Sequence, residues 1–127
     1  MKKNILIVAD PETMNDNLVG WVGLSNEFEM RFADTDDMAI ELSRQLPFDM
    51  LVVDLDLETA DYRKLKSAMS IWKPEVLILP YKGESSFDLN SKVKNAFQKS
   101  QLKRMKHLLV PDASDGALEG LFPFSAN

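Results

Sequence analysis

The fold is decided by one stretch of the sequence, FDMLVVDLDLE, which spans residues 48–58. Its apolar run MLVV is unbroken and ends in the closely spaced carboxylates of Asp54 and Asp56. Because the run lacks the polar alternation of a half-exposed strand, we expect a strand buried on both faces, as in a parallel sheet covered by helices. Ligands of open α/β sheets bind at the carboxyl ends of the strands. Asp54 is therefore the first candidate for chemistry, against the alternative that it merely solvates the end of a strand.

Length and composition predict one soluble domain over residues 1–127. Of the 127 residues, 45% are hydrophobic, which is enough for one substantial core. The chain contains no cysteine, which excludes disulfides and thiolate metal sites. No apolar run approaches the roughly 20 residues that a membrane helix needs, and the first one is cut short by Asp10. We therefore expect a cytoplasmic domain that makes no contact with a membrane.

Charge is divided unevenly along the chain. The net charge is −5, but residues 1–62 hold 14 acidic and 4 basic side chains, whereas residues 63–127 hold 6 acidic and 11 basic ones. The acidic first half speaks against direct binding of nucleic acid by this domain and would suit a site that gathers cations. The basic run Lys92, Lys94, Lys99, Lys103, Arg104 and Lys106 is interpreted as a solvated helix face in preference to a docking surface.

Apolar runs and alternating patterns predict five strands. The β-branched run at 5–8 indicates a second fully buried strand, which ends close to Asp10. Apolar residues at 28, 30 and 32 alternate with charged ones and predict a half-exposed strand towards one side of the sheet. The other strands are expected at residues 50–53, 76–79 and 107–110.

Capping residues and helical spacing predict helices between these strands. Asp10 as N-cap, Pro11 and an acid in the first turn predict a helix that starts at Pro11 and ends before Ser25. The sequence DTDD at 34–37 supplies the cap and acidic first turn of a helix that extends to Leu46. We expect a third helix at 60–72, a long helical segment with a bend or stop near Ser100, and a short final helix at 113–121.

The alternation of strand and helix predicts the topology. Five such units in succession indicate a parallel sheet with right-handed crossovers and helices on both faces. This is an α/β fold of the flavodoxin-like kind, a three-layer α/β/α sandwich whose five-stranded sheet has the order 2-1-3-4-5. Because strands one and three are neighbours in that order, Asp10 and Asp54 should lie side by side at one edge of the sheet.

The sequence resembles the response-regulator receiver domains of two-component signalling over nearly its whole length. The resemblance rests on ILIVADPE at 5–12, on the helix 36–46 with the PFD that follows it, and on MLVVDL at 50–55. It implies that Asp54 accepts a phosphoryl group from a histidine kinase or a phosphotransfer protein. It further implies a domain that works as a monomer or weak dimer, with regulated contact with an output protein as its result.

The same resemblance implies a Mg²⁺ site, and departures from the family pattern weaken it. The ligands would be the carboxylates of Asp10 and Asp54 and the backbone carbonyl of Asp56. However, Ala9 stands where the family has a second acid, Pro80 where it has a hydroxyl residue, and Val110 where it has a lysine before proline. Phosphoryl transfer to a carboxylate needs such cations and donors. We therefore expect weak binding of Mg²⁺ and impaired phosphorylation, as in a pseudo-receiver.

Two alternatives to a phosphorylated receiver stay open. One is an interaction domain of the same fold that works without phosphorylation. The other is a small phosphohydrolase, because Asp54-Leu55-Asp56 resembles the Asp-x-Asp motif of haloacid-dehalogenase-like phosphatases, although Glu58 stands where that family has Thr or Val. The single histidine, His107, has no Ser or Cys motif that would make it catalytic.

Overall fold

A parallel sheet of four strands is the centre of the described part of the chain. The computed structural model describes residues 2–109. The strands are β1 (Lys3–Val8), β2 (Phe28–Ala33), β3 (Met50–Asp54) and β4 (Leu77–Tyr81), and they lie in the order β2-β1-β3-β4 with every pair parallel. The predicted α/β class is confirmed, and the order 2-1-3-4 agrees with the prediction as far as these strands go.

Helices follow each strand. They are α1 (Asp16–Leu24), α2 (Asp36–Gln45), α3 (Tyr62–Trp72) and α4 (Ser86–Leu109). By their contacts the residues form two compact units, Met1–Ser91 and Lys92–Asn127, so that α4 begins in the first unit and continues in the second. The sheet belongs entirely to the first unit. A single domain over residues 1–127 stays a prediction.

Burial along the strands follows the sequence pattern. Every residue of β3 is buried, as are the last four residues of β1, whereas β2 alternates between partly buried and exposed positions. The centre of the sheet therefore lies where the apolar runs are unbroken, and the half-exposed strand lies at its side. Both were predicted from the alternation alone.

The two faces of the sheet receive different helices. Leu6, Val8, Leu51 and Val53 belong to one apolar cluster with buried residues of α2 and α3. Their neighbours along β1 and β3 project to the opposite face and are equally buried. The connection from β1 to β2 moves across the sheet in one direction, and the connections from β2 to β3 and from β3 to β4 move in the other. Right-handed connections therefore place α1 on that opposite face. Asp54 follows Val53 and therefore projects to the α1 side.

The first helix starts later than predicted. Asp10 caps only an isolated turn: its Oδ1 accepts the Glu12 N–H at 3.0 Å, and its carbonyl accepts the N–H of Met14 at 2.9 Å. The backbone is then extended at Asn15, with ψ 145°, and the Asn15 side chain caps α1 through the Asn17 N–H at 2.7 Å. The prediction of a helix from Pro11 is wrong because this second cap restarts the helix.

The bounds of the middle elements are close to those predicted. The Thr35 hydroxyl caps α2 by accepting the Met38 N–H, as the sequence DTDD indicated. The third helix begins at Tyr62 and not at residue 60, because Asp61 caps it. The fourth strand lies two residues later at its end than predicted and includes Pro80 and Tyr81.

The fifth strand predicted at 107–110 is wrong for residues 107–109, which belong to α4. Val110 and the final helix predicted at 113–121 lie outside the described residues. The stop expected near Ser100 does not occur either, since α4 continues through it. No Gly or Pro interrupts residues 84–110, and Lys, Arg, Gln, Leu and Met are good helix formers. Local propensity therefore extends the helix where the run HLLV at 107–110 suggests a strand.

Pro80 fits the edge position that β4 holds among the described strands. The Leu77 N–H donates to the Asp49 carbonyl, and the Tyr81 carbonyl accepts the Leu55 N–H, each at 3.1 Å. These two residues of β4 thus direct their backbone groups towards β3, and by alternation Pro80 directs its own to the other side. Proline has no N–H to offer a strand there, which is why it occurs at sheet edges.

Candidate functional site at the carboxyl edge of the sheet

Asp54 is the only charged residue of β3 and lies at its carboxyl end. It is 6% exposed, while the four residues before it are fully buried. Its Oδ1 accepts the N–H of Asp56 at 3.0 Å, and its carbonyl accepts the N–H of Leu57 at 3.1 Å. The chain turns tightly after the strand, and this turn fixes the carboxylate at the edge. The predicted placement of Asp54 is confirmed.

The surroundings of Asp54 favour its neutral form. Burial raises the pKa of its carboxyl, and the negative charge of Asp56 acts in the same direction. The hydrogen bond from the Asp56 N–H opposes both effects but does not cancel them. A carboxylate that is costly to ionise at the end of a central strand is typical of functional sites, although structural networks also shift pKa values.

Asp10 lies at the same edge of the sheet as Asp54. Val8, the last residue of β1, pairs with Val53, so both acids follow the carboxyl ends of adjacent strands. The Glu12 N–H donates to Oδ1 of Asp10, and the Asp56 N–H donates to Oδ1 of Asp54, so neither bond involves Oδ2. Within residues 2–109 no three or more His, Cys, Asp or Glu side chains are grouped as a metal site. Two carboxylates with one carbonyl are a smaller set, so the Mg²⁺ ligands stay a prediction.

Tyr81 is the residue that the sequence did not single out. It pairs with Asp54 across β3 and β4 and is only 1% exposed. Residues that pair in adjacent strands project to the same face, so both side chains lie on the α1 side. Burial raises the pKa of the Tyr81 hydroxyl, and the charges of Glu84, Asp54 and Asp56 add to the effect. The signal was available, because a proline tolerated in an edge strand allows β4 to continue to the aromatic residue after it.

The Tyr81 hydroxyl links two parts of the chain. It lies 2.9 Å from the carbonyl oxygen of Glu84, in the β4–α4 turn (residues 82–85), and 3.1 Å from Oδ1 of Asn15, the N-cap of α1. Both neighbours are acceptors, so the single hydroxyl proton serves one at a time. The Glu84 carboxylate accepts the Lys82 N–H and closes the turn, in which Gly83 takes a positive φ of 97°.

The β3–α3 loop (residues 55–61) is tied to the start of α2. The Thr59 hydroxyl donates to the Asp34 carbonyl at 2.6 Å, and the Asp61 N–H donates to Asp36 Oδ2 at 3.0 Å. Lys64 Nζ donates to Asp36 at 3.0 Å and to Asp37 at 2.7 Å. The loop that follows Asp54 is therefore held in place from outside, by contacts that sequence spacing could not reveal.

Asp36 and Lys64 shift each other's titration within this network. Partial burial of Asp36 acts to raise its pKa, but the Asp61 N–H and the Lys64 ammonium outweigh it, so the pKa is lowered. The Asp37 and Asp36 carboxylates raise the pKa of Lys64. Both shifts favour the charged forms at neutral pH, which keeps the loop anchored.

Ala9 and Pro80, two of the positions that depart from the receiver pattern, provide no polar side chain at the edge. Ala9 is fully buried, and its N–H donates to the Ala33 carbonyl at 2.9 Å. Pro80 lies within β4 and pairs with Val53, one residue before the end of the strand. Val110 lies outside the described residues. Among the described residues, Tyr81 pairs with Asp54 and the Asp56 N–H donates to it.

Comparison with known proteins leaves the family of the chain open. No family model, curated protein or solved structure matches it. In residues 2–109 none of the helices has the length and apolar character needed to cross a membrane.

Proposed function

We propose that the protein is a receiver-like signalling module in which Asp54 accepts a phosphoryl group and contact with another protein is the output. The observation that carries the proposal is the place of Asp54, an acid enclosed at the carboxyl end of a central strand whose other residues are apolar. Burial of a carboxylate costs stability unless it is fully paired. An acid retained at such a cost, at the edge where open α/β sheets bind ligands, supports a chemical role.

The chemistry proposed is transfer of a phosphoryl group to a carboxylate oxygen of Asp54. An oxygen of ionised Asp54 attacks the phosphorus of a phosphohistidine, the O–P bond forms, and the electrons of the breaking P–N bond go to the imidazole nitrogen. The carboxylates of Asp10 and Asp54 and the carbonyl of Asp56 offer the oxygen donors that Mg²⁺ prefers, with water completing its shell. When bound there, the ion would offset the charge of the phosphoryl oxygens.

Transfer to Asp54 is expected to be slow. The bond from the Asp56 N–H occupies Oδ1 of Asp54 and leaves Oδ2 for the attack, while the enclosure of the carboxylate restricts the approach of a donor. Neither Ala9 nor Pro80 can supply the acid or hydroxyl of ordinary receivers. Each preorganised electrostatic group that is lost costs about 10²–10³ in rate. We therefore expect slow addition of a phosphoryl group from a small phosphodonor.

A phosphodonor assay tests the proposal. The protein is incubated with acetyl phosphate and Mg²⁺, and its intact mass is followed over time beside Asp54→Asn and Asp56→Asn. One phosphoryl group should add slowly to the unmodified chain and to Asp56→Asn, which keeps its backbone carbonyl, and none should add to Asp54→Asn. Absence of any addition to the unmodified chain, or addition that persists in Asp54→Asn, would reject Asp54 as the acceptor.

The enclosure of Asp54 favours one second candidate, a domain whose protein contact does not depend on phosphorylation. A carboxylate that is 6% exposed is poorly placed to meet the histidine of a donor protein. In that case the Asp54→Asn chain should bind a protein partner as tightly as the unmodified chain. Binding that depends on Mg²⁺ and a phosphodonor would instead favour the phosphorylated receiver.

A further inference from the structure

Tyr81 is the buried neighbour of Asp54 on strand β4, and it brings a hydroxyl to this position. The side chain is buried, pairs in register with Asp54, and its carbonyl accepts the Leu55 N–H directly after Asp54. Asp54 and Tyr81 therefore lie on adjacent strands, and their side chains project to the same face of the sheet. Because both side chains are almost fully enclosed, a charge at Asp54 acts on the Tyr81 hydroxyl with less screening than it would in water.

The hydroxyl of Tyr81 has two alternative acceptors on two different elements. One is the Glu84 carbonyl in the β4–α4 turn, and the other is Oδ1 of Asn15. Asn15 Oδ1 also accepts the Asn17 N–H and so forms the N-cap of α1. A shift of the hydroxyl from one acceptor to the other would loosen either the turn or the cap. This is the two-state element that a change of local charge needs in order to have a wider effect.

The start of α1 is in turn tied to the first turn of α4. The Ser86 hydroxyl donates to the Asn17 carbonyl at 2.7 Å, and a Cβ on Gly20 would lie 2.8 Å from Ser86 Oγ. One turn later the Trp21 indole N–H donates to Asn90 Oδ1 at 3.1 Å. The two helices are thus closely joined at this end, and Trp21 reports on their contact.

We propose that Tyr81 is a positioning residue that couples the charge at Asp54 to the cap of α1 and to the β4–α4 turn. The inference rests on the proposed function in one respect, that Asp54 is the residue whose charge changes.

The test uses Trp21 as an internal reporter. Of the two tryptophans, Trp72 is 55% exposed and stacks with Arg44, so Trp72→Phe leaves Trp21 as the single emitter. In that background four chains are compared: the parent, Asp54→Asn, Tyr81→Phe and the double variant. Trp21 emission and the amide exchange rates of residues 82–86 and of Asn17 are measured in each. Asparagine keeps an oxygen that can accept the Asp56 N–H, removes the charge, and replaces the second carboxylate oxygen by an amide donor.

Asp54→Asn is expected to change Trp21 emission and the exchange rates in the parent chain, and Tyr81→Phe is expected to abolish that change. Tyr81→Phe alone should speed exchange in the β4–α4 turn by roughly tenfold, the factor for loss of one hydrogen bond. The matched control is Tyr62→Phe, the other tyrosine of the chain, which packs beside the cluster formed with α2 and α3. It should leave the response to Asp54→Asn intact.

An Asp54→Asn response of equal size with and without Tyr81, or no response in the parent, overturns the coupling. If Tyr81→Phe does not fold, Asn15→Ser replaces it, because serine can still cap α1 but is too short to reach Tyr81 in the same way. That variant should likewise lose the response. No measurement here requires phosphorylation. Failure of the coupling and failure of Asp54 to accept a phosphoryl group are therefore seen in separate experiments.

Discussion

β3 and α4 relate sequence to burial in opposite ways. Each of the five residues of β3 is buried, and its apolar run lies between β1 and β4. In α4, which has 24 residues, Leu89 and Val93 are fully buried, but every residue from 101 to 106 is exposed. Leu102 and Met105 are 59% and 46% exposed although both are apolar. An apolar residue thus indicates burial in the strand, but it does not indicate burial near the end of the helix.

The difference comes from where the backbone hydrogen bonds go. A strand relies on neighbouring strands for its backbone hydrogen bonds, and an unbroken apolar run indicates a strand inside the sheet that is covered on both faces. A helix satisfies its backbone groups within the segment, and good helix formers can extend it beyond the part that is packed. The length of α4 therefore follows from local propensity, whereas its burial follows from what lies beside it.

Truncation of the core should give the largest effect and separates the two regions. Leu51 belongs to the apolar cluster of α2 and α3 and is 0% exposed to solvent. Leu51→Ala should therefore lower the free energy of unfolding by about 2–5 kcal/mol. Leu102→Ala removes the same atoms at a 59% exposed site and should change it by less than about 0.5 kcal/mol. Urea denaturation followed by circular dichroism measures both. Comparable losses in the two variants would mean that residues near the end of α4 are packed after all.

A proline in the middle of α4 should give the next largest effect. Ser100→Pro removes one backbone donor and clashes with the preceding turn, at a cost of about 3 kcal/mol in a helix interior. We expect a clear loss of helical signal in the far-ultraviolet circular dichroism, with Ser100→Ala unchanged or slightly more helical. Equal spectra for the proline variant and its parent would restore the stop that the sequence pattern indicated near Ser100.

The sequence predicts the centre of this fold better than its end. The runs at 5–8 and 50–53, the alternation in β2 and the cap at Thr35 each gave the correct element, because every one is a local pattern with one physical meaning. Asp54 followed from the same logic, as the first charge after a buried run. These predictions required no knowledge of distant contacts.

The failures all depend on competition between two local signals or on partners far along the chain. Asp10 and Asn15 are both good caps, and the one that starts α1 is the one bonded to Tyr81, 66 residues away. Residues 107–109 suit either a strand or a helix, and the preceding helix formers decided the outcome. Tyr81 itself was missed because Pro80 was taken as the end of a strand, although proline is compatible with a strand edge.

Replacement of Asp54 should give the smallest effect, and one of opposite sign. Because burial raises the pKa of this carboxyl in the folded state, ionisation weakens folding: stability is highest below the unfolded pKa, about 4, and is lost as the pH rises through the folded value. Asp54→Asn removes that charge and keeps the acceptor for the Asp56 N–H. In metal-free buffer the variant should therefore unfold at higher urea concentration than its parent at pH 7 and at a similar concentration at pH 3.

The control for this prediction is Asp56→Asn, two residues further on. Asp56 is exposed, and its charge contributes to the raised pKa of Asp54. Its removal should stabilise the chain at pH 7 by less than Asp54→Asn does. A gain for Asp54→Asn that is as large at pH 3 as at pH 7 would show that packing and not charge is responsible. A loss at pH 7 would mean that the ionised carboxylate stabilises β3 and its edge, which would remove the argument that Asp54 is kept at a cost for chemistry.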